Sequence, residues 1–218
     1  MDFVRPGMRL ALGTGSTAAE AVRALAAHES SATFDCVASS RATEELSRSL
    51  GFPVRPLREH DRFDLMLDGA DEVTPALALT KGGGGALLRE KLLAGLSREV
   101  IILVDPTKLV SHLGTRSPIP VEVVPFARAV LARRFEEEGY RVHHRTVEGR
   151  PFVTDNGNEI LDLMPREPIA DPARAESELA NATGVVEVGI FVDLASRVLV
   201  GYPDGRVEER LPRAARPP

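Results

Sequence analysis

The stretch "FDLMLDGADEVTPALALTKGGGGALLREKLLAGLSREVIILVD", from Phe63 to Asp105, decides the fold. It begins with an apolar run ending in Asp-Gly and closes on a second run, "EVIILVD", with a helical pattern at Ala86–Ser97 between them. Strand–helix alternation of this kind implies a parallel sheet covered by helices on both faces. The pattern repeats toward the N-terminus. "RLALGTG" reads as a strand before a helix near Ala18–His28. "FDCVAS" reads as a second strand before a helix at Thr43–Leu50, which Gly51 ends in the position a helix C-terminus favours. "PVRPL" reads as a further strand, placed at an edge by its prolines.

After "SPIP" the pattern changes. "VEVV" is a strand, and Phe126–Glu138 is a helix with Ala127, Val130, Leu131 and Phe135 on one stripe. "YRVHHR" is a strand, and "FVTDNGNEILDL" sets Asn156-Gly157 between two alternating runs, a hairpin signal. Asp171–Asn181 is a helix and "GVVEVGIFV" a strand. The order β-α-β-β-α-β is that of a ferredoxin-like unit. "RVLVGYPDGRVEE" is another hairpin, turning at Pro203-Asp204-Gly205 and returning to the first domain. The expected fold class is therefore α/β. Residues 1–117 and 191–218 form a Rossmann-like parallel-sheet domain, and 118–190 a smaller ferredoxin-like α/β domain (βαββαβ).

Composition narrows the function. The 218 residues carry a net charge of −5, with 43 % apolar and 27 % charged residues, as in soluble globular proteins. No Lys/Arg tract interleaves with aromatics, so no nucleic acid partner is expected. A small anionic ligand stays open, because one site can be positive on an acidic protein. The lone cysteine, Cys36, cannot form an internal disulfide; it reads as a buried structural thiol suited to a reducing, cytoplasmic setting. No apolar run reaches the roughly 18–20 residues that span a bilayer, and "MDFVRPGMRLALG" lacks the features of a signal peptide. The tail "LPRAARPP" reads as frayed.

Four motifs bear chemistry. "LGTGSTAAE" (Leu12–Glu20) is a strand-to-helix turn, with Thr17 and Glu20 at capping-box spacing. A helix N-terminus there, with the hydroxyls of Thr14, Ser16 and Thr17, suits an anion; an ordinary capped turn reads equally well. It is neither a dinucleotide fingerprint nor a Walker loop. "DLMLDGADEV" ends a strand with Asp68 and Asp71 three apart, at the sheet end where open α/β folds bind ligands. A solvated acidic turn is the competing reading, and the spacing fits no metal. In "LTKGGGGALLREK", Gly82–Gly85 let backbone approach a ligand at a helix start. Glu90 has Ala86, Leu87, Leu93 and Ala94 as its helical neighbours, and desolvation on such a stripe pushes a carboxyl upward, toward the range of a general base. Arg89 and Lys91 oppose that push. Lys81 can stabilise negative charge developing on an oxygen. "ILVDPTKLV" adds Asp105 and Lys108, the latter a point charge for a phosphate or a sugar hydroxyl. The five histidines fall at no ligand or triad spacing.

In this order and spacing, "GTGSTA", "DGADE", "KGGGGALLREK" and "DPTK" resemble the A-type ribose-5-phosphate isomerases, and "PVEVVPFAR", "VTDNGNEILD" and "GVVEVGIF" extend the likeness along nearly the whole chain. The resemblance implies an aldose–ketose isomerase of the non-oxidative pentose phosphate pathway, without metal or cofactor. It is expected to interconvert ribose 5-phosphate and ribulose 5-phosphate through an ene-diolate. Glu90 would be the proton acceptor, with Asp68, Lys81 and Asp71 as its catalytic companions. Substrate contacts would come from Thr14, Gly15, Ser16, Thr17, Asp68, Gly69, Ala70, Asp71, Lys81, Gly82, Gly83, Gly84 and Lys108. Such proteins are usually homodimers or homotetramers with a lid-like smaller domain. Members commonly begin with a further lysine-bearing helix, whereas this sequence starts at "MDFVRPGMRL"; a late start in the recorded sequence is the plain explanation, and the resemblance leaves part of the phosphate site and of the subunit packing open. Gly85 stands where alanine is common, and Leu88 where a polar residue is common. The competing readings are a sugar-phosphate sensor without turnover and an isomerase or deaminase for another phosphosugar.

Overall fold

The computed structural model describes residues 2–212; the part of the expected frayed tail from 213 to 218 lies outside the described residues. The first half runs β1 (Arg9–Leu12), α1 (Ser16–Ala26), β2 (Asp35–Ala38), α2 (Arg41–Ser49), β3 (Leu65–Asp68), β4 (Glu72–Val73), β5 (Leu79–Thr80), α3 (Leu87–Gly95) and β6 (Val100–Val104). There follow β7 (Ile119–Val123), α4 (Arg128–Glu137), β8 (Tyr140–His144), β9 (Thr146–Val147), β10 (Arg150–Pro151) and β11 (Glu159–Pro165). The chain closes with α5 (Pro172–Ala180), β12 (Val185–Val188), β13 (Ile190–Phe191), β14 (Arg197–Gly201) and β15 (Val207–Arg210). Two compact units emerge. One comprises Met1–Gly69, Arg89–Thr107 and Asp193–Pro218; the other Ala70–Leu88 and Lys108–Val192.

The first unit is a six-stranded sheet in the order β15-β14-β6-β3-β1-β2, parallel except for the last strand, β15. Every residue of β3 is buried, as a central strand of a covered parallel sheet requires. Leu10, Leu12, Val22, Leu25, Phe34, Cys36 and Phe52 pack into one core. Burial pushes the Cys36 thiol up to about 12, with the charge of Asp35 adding to it, so the group stays an inert thiol. The hairpin β14–β15 joins this sheet through β14 alongside β6. Gly51, at φ +68, turns the chain after α2 as the sequence implied.

"PVRPL" forms no strand. Its ladder reduces to one bond, Arg55 N–H to the Cys36 carbonyl at 2.9 Å, because Pro53 and Pro56 have no N–H to give. The Arg55 guanidinium instead grips two carboxylates, Nε to Asp35 Oδ1 at 2.6 Å and Nη1 to Asp61 Oδ2 at 2.6 Å. That grip holds Asp61 down at about 2 and lowers Asp35 as well.

The second unit holds an antiparallel sheet in the order β12-β7-β11-β8, with α4 linking β7 to β8 and α5 linking β11 to β12, which is ferredoxin-like connectivity. Leu131 and Phe135 of α4 and Leu179 of α5 pack with Val121, Val123, Leu161, Leu163 and Val188. Val130 is not on that stripe; it is 74 % exposed, because Leu131 and Phe135, four apart, already define the buried line. "GVVEVGIFV" divides at Gly189. β12 stays in the four-stranded sheet, while β13 pairs with β5 in a separate ladder, β13-β5-β4. A Cβ at Gly189 would lie 2.3 Å from the Lys81 carbonyl oxygen, so only glycine permits the strand change.

Candidate active site

In the first unit the groups gather where parallel strands end. Leu12 stands level with Ala38 and with Leu67, so the turns after β1, β2 and β3 share one end of the sheet. Asp68, the last residue of β3, is fully buried. Its Oδ1 accepts N–H groups from Thr14 at 3.2 Å and from Gly69 at 2.7 Å. The first glycine of the motif makes room for this: a Cβ at Gly13 would fall 2.0 Å from Asp68 Oδ1 and 2.1 Å from Cγ. Gly69 stands opposite Thr17, where an added Cβ would lie 3.7 Å from the Thr17 Cβ.

The capping-box expectation is corrected here. α1 begins at Ser16 with Gly15 as its N-cap at φ +112 and no side-chain cap; Glu20 pairs with Arg23 at 2.6 Å. Gly15 holds this left-handed conformation without a Cβ penalty, which lets the helix start two residues earlier than Thr17 could cap it. The Ser16 and Thr17 N–H groups sit in the first turn, among those without intrahelical acceptors.

Thr14 enters a hydroxyl cluster that reaches beyond the four motifs. Its Oγ lies 2.7 Å from Ser39 Oγ and donates to Ser40 Oγ at 2.8 Å. Thr43 Oγ donates to the Gly13 carbonyl at 2.8 Å, and the Thr43 N–H is capped by Ser40 Oγ at 3.1 Å. The signal was present: "VASSRATEE" puts two serines after the second parallel strand and before a helix, the arrangement used to single out "GTGST".

Glu90 lies on α3 and is 2 % exposed. Ala86, Leu87, Leu93 and Ala94, its i−4, i−3, i+3 and i+4 positions, are buried too.

In the second unit, Asp71 N–H bonds the Thr80 carbonyl at 2.8 Å. Lys81 follows β5, only 3 % exposed; its N–H bonds Gly189 O at 2.8 Å and its ammonium stands 5.7 Å from the centre of the Phe191 ring. Gly82 and Gly85 adopt φ +100 and +79. Gly83 N–H donates to Asp71 Oδ2 at 2.8 Å, and a Cβ there would sit 2.6 Å from Asp71 Oδ1. Asp71, Lys81 and Gly82–Gly84 are thus one assembly, with Ala70 half-buried beside Asp71. Lys108 is half-buried as the last residue of a short 3-10 turn and anchored by the next residues: Leu109 bridges Val73, and Val110 N–H bonds Val73 O at 3.0 Å.

Glu72, assigned no task from sequence, is fully buried. It accepts from Gly114 N–H (2.7 Å), Arg116 N–H (2.5 Å), Ser117 N–H (3.0 Å) and Thr80 Oγ (3.2 Å). It therefore ties the loop beyond Lys108 to the strand before Lys81. Among the histidines, His144 is taken up by Glu159, Nε2 to Oε2 at 2.9 Å.

Parallel strands ending in hydroxyls and glycines, with buried carboxylates in the same unit, define a class: an α/β protein with acid–base groups at the strand ends where such folds bind small polar ligands. Comparison with known proteins gives the particular family. The family model described as ribose 5-phosphate isomerase A (phosphoriboisomerase A) matches residues 35–205. A curated ribose-5-phosphate isomerase A of Bacillus mycoides is 43 % identical, over 93 % of this chain and 92 % of that protein. The solved ribose 5-phosphate isomerase of Plasmodium falciparum superposes with a TM-score of 0.92 at 33 % identity, covering 98 % of this chain and 94 % of that one. A solved D-ribose-5-phosphate isomerase in complex with phospho-erythronic acid gives 0.91 at 36 % identity, over 97 % and 93 %. The chain belongs to the ribose-5-phosphate isomerase A family.

Proposed function

We propose that this protein interconverts D-ribose 5-phosphate and D-ribulose 5-phosphate. Family membership sets the reaction, and the observation that carries the assignment of roles is Glu90, a carboxylate 2 % exposed on the helix that follows the glycine run. Shielded from water and joined to the substrate by proximity, a carboxylate is a competent general base. Glu90 removes the proton from the carbon beside the aldehyde and returns it to the former carbonyl carbon. The ene-diolate between these steps carries an oxyanion, stabilised by Lys81 and the Gly84 N–H, with Gly82 and Gly83 shaping the loop around it. Asp68 assists ring opening or relays the proton between the two oxygens, and Asp71 orients the sugar. Gly15, Ser16 and Thr17 supply N–H and hydroxyl donors for the anionic end, with Thr14, Gly69, Ala70 and Lys108 completing the substrate contacts.

The test is isomerisation followed by NMR, with solvent deuterium uptake at the transferred position. Glu90→Gln is expected to lower kcat by about 10²–10⁴ while phospho-erythronic acid, bound by a solved relative, still raises the unfolding temperature. Near-full activity in that variant refutes the assignment. Binding without exchange in the parent protein would indicate a sensor.

We further propose that the protein is a cytoplasmic homodimer or homotetramer and that 118–190 acts as a lid-like domain. Its single buried cysteine suits a reducing compartment. Among the described residues no helix is long and apolar enough to cross a membrane. Phe126 (98 % exposed), in the short 3-10 turn before α4, and Val130, four residues on in α4, are both exposed, an apolar face suited to a second copy. Light scattering of Phe126→Glu against the parent decides; an unchanged mass removes this face from the interface.

A further inference from the structure

We propose that Arg145 is a positioning residue that sets the direction of the glycine-loop N–H groups; the inference rests on the isomerase reading and extends it to a residue outside the four motifs. Arg145 follows β8 and its side chain is 15 % exposed. Nε bonds Asp162 Oδ2 at 2.8 Å, and Nη2 bonds the other carboxylate oxygen. Nη1 donates to two carbonyls of the loop, Gly82 O at 2.9 Å and Gly83 O at 3.1 Å. One guanidinium thus holds two consecutive peptide planes, while Asp162 holds the guanidinium.

In a trans peptide the C=O and the following N–H point in opposite directions. The plane joining Gly82 to Gly83 is gripped at both ends, its oxygen by Arg145 and its N–H by Asp71 at 2.8 Å. The plane joining Gly83 to Gly84 is gripped at its oxygen alone, which turns the Gly84 N–H away from the arginine. That N–H is the donor the arrangement leaves for an oxygen of the substrate. The loop's own turn bond, Gly85 N–H to Gly82 O at 2.9 Å, fixes its ends but not the central plane between Gly83 and Gly84, and glycine has no side chain to bias those torsions.

The clamp is itself supported. Arg145 stands 5.7 Å from the centre of the Phe152 ring. Phe152 occupies the space a Cβ on Gly85 would take, with 2.4 Å between that Cβ and the ring Cζ. The turn after Phe152 is pinned by buried Glu122, whose Oε1 accepts from Thr154 Oγ (2.8 Å), Asn158 Nδ2 (2.9 Å) and Asn156 Nδ2 (3.2 Å). Lysine cannot replace this arginine: an ammonium is a point charge, without the fork that spans a carboxylate and two carbonyls.

The experiment takes full-length, nitrogen-15-labelled protein as parent, Arg145→Ala and Arg145→Lys. It measures the amide resonances of Gly83 and Gly84, the unfolding temperature, and kcat and KM separately. In folded Arg145→Ala both amide resonances should shift or broaden and kcat should fall roughly 10–100-fold, as for a misplacement of about 1 Å, with a smaller change in KM. Free guanidinium at sub-denaturing concentration should restore part of kcat. Should Arg145→Ala not fold, Arg145→Lys decides by the same readouts. Unmoved amide resonances in a folded variant overturn the proposal, as does a kcat within about threefold of the parent or a loss confined to KM. A parent without isomerase activity would sink the functional reading alone, since the amide resonances still report whether Arg145 orders the loop.

Discussion

Gly13→Ala tests the first strand turn most directly. The added Cβ would sit 2.0 Å from Asp68 Oδ1, whereas ordinary contact begins at 3.4 Å, so the carboxyl must retreat by 1.4 Å. It has little freedom to do so in place, being fully buried and bonded to the Thr14 and Gly69 N–H groups through that same oxygen. Gly13 itself is tied by its N–H to Leu67 O at 2.8 Å and by its carbonyl to Thr43, so the main chain resists moving instead. Overpacking of this kind costs about 1–3 kcal/mol of stability. In the catalytic role proposed for Asp68, a displacement of about 1 Å loses on the order of 10²-fold in rate. Steady-state isomerase kinetics, with thermal unfolding to show that the chain is folded, should therefore give kcat/KM reduced by roughly two orders of magnitude and a modest fall in unfolding temperature. A folded Gly13→Ala protein of parental kcat/KM would refute the reasoning, because Asp68 would then have moved without consequence.

Glu72→Gln replaces one accepting oxygen by an amide donor that faces an N–H, leaving buried groups unpaired; denaturant unfolding should show a loss of about 2–5 kcal/mol, and a loss under about 1 kcal/mol would contradict the four-bond anchor. Acid stability should depend on Arg55 and its carboxylates. Asp61 is held at about 2 against an ordinary 3.8, so its contribution is complete above pH 3.8 and disappears as pH falls toward 2. The parent should lose stability across that window, and Asp61→Asn, which begins less stable at neutral pH, should lose less of it; equal acid slopes would remove Asp61 as the cause. Gly95→Ala meets nothing within 4 Å, and its φ lies outside the left-handed region. It should leave kcat/KM unchanged and stabilise by about 0.4–1 kcal/mol in thermal unfolding, serving as a control for Gly13→Ala.

Sequence alone determined the elements whose signal is local. The apolar runs of β3 and β6, the pattern of α3 and the β-α-β-β-α-β order after residue 118 each follow from hydrophobic periodicity, which neighbours along the chain suffice to set. The burial of Glu90 was likewise legible from its i±3 and i±4 positions. What sequence could not decide were pairings between distant residues. Nothing near "PVRPL" says that Arg55 spends its guanidinium on Asp35 and Asp61 in place of a strand ladder. Nor does "GVVEVGIFV" reveal that Gly189 leaves no room for a Cβ beside Lys81, dividing the run between two sheets. The grip of Arg145 on Gly82 and Gly83, 63 and 62 positions away, has no local signature at all. Hydrogen-bond direction and close backbone approach depend on how elements meet in space, and only the tertiary structure fixes that.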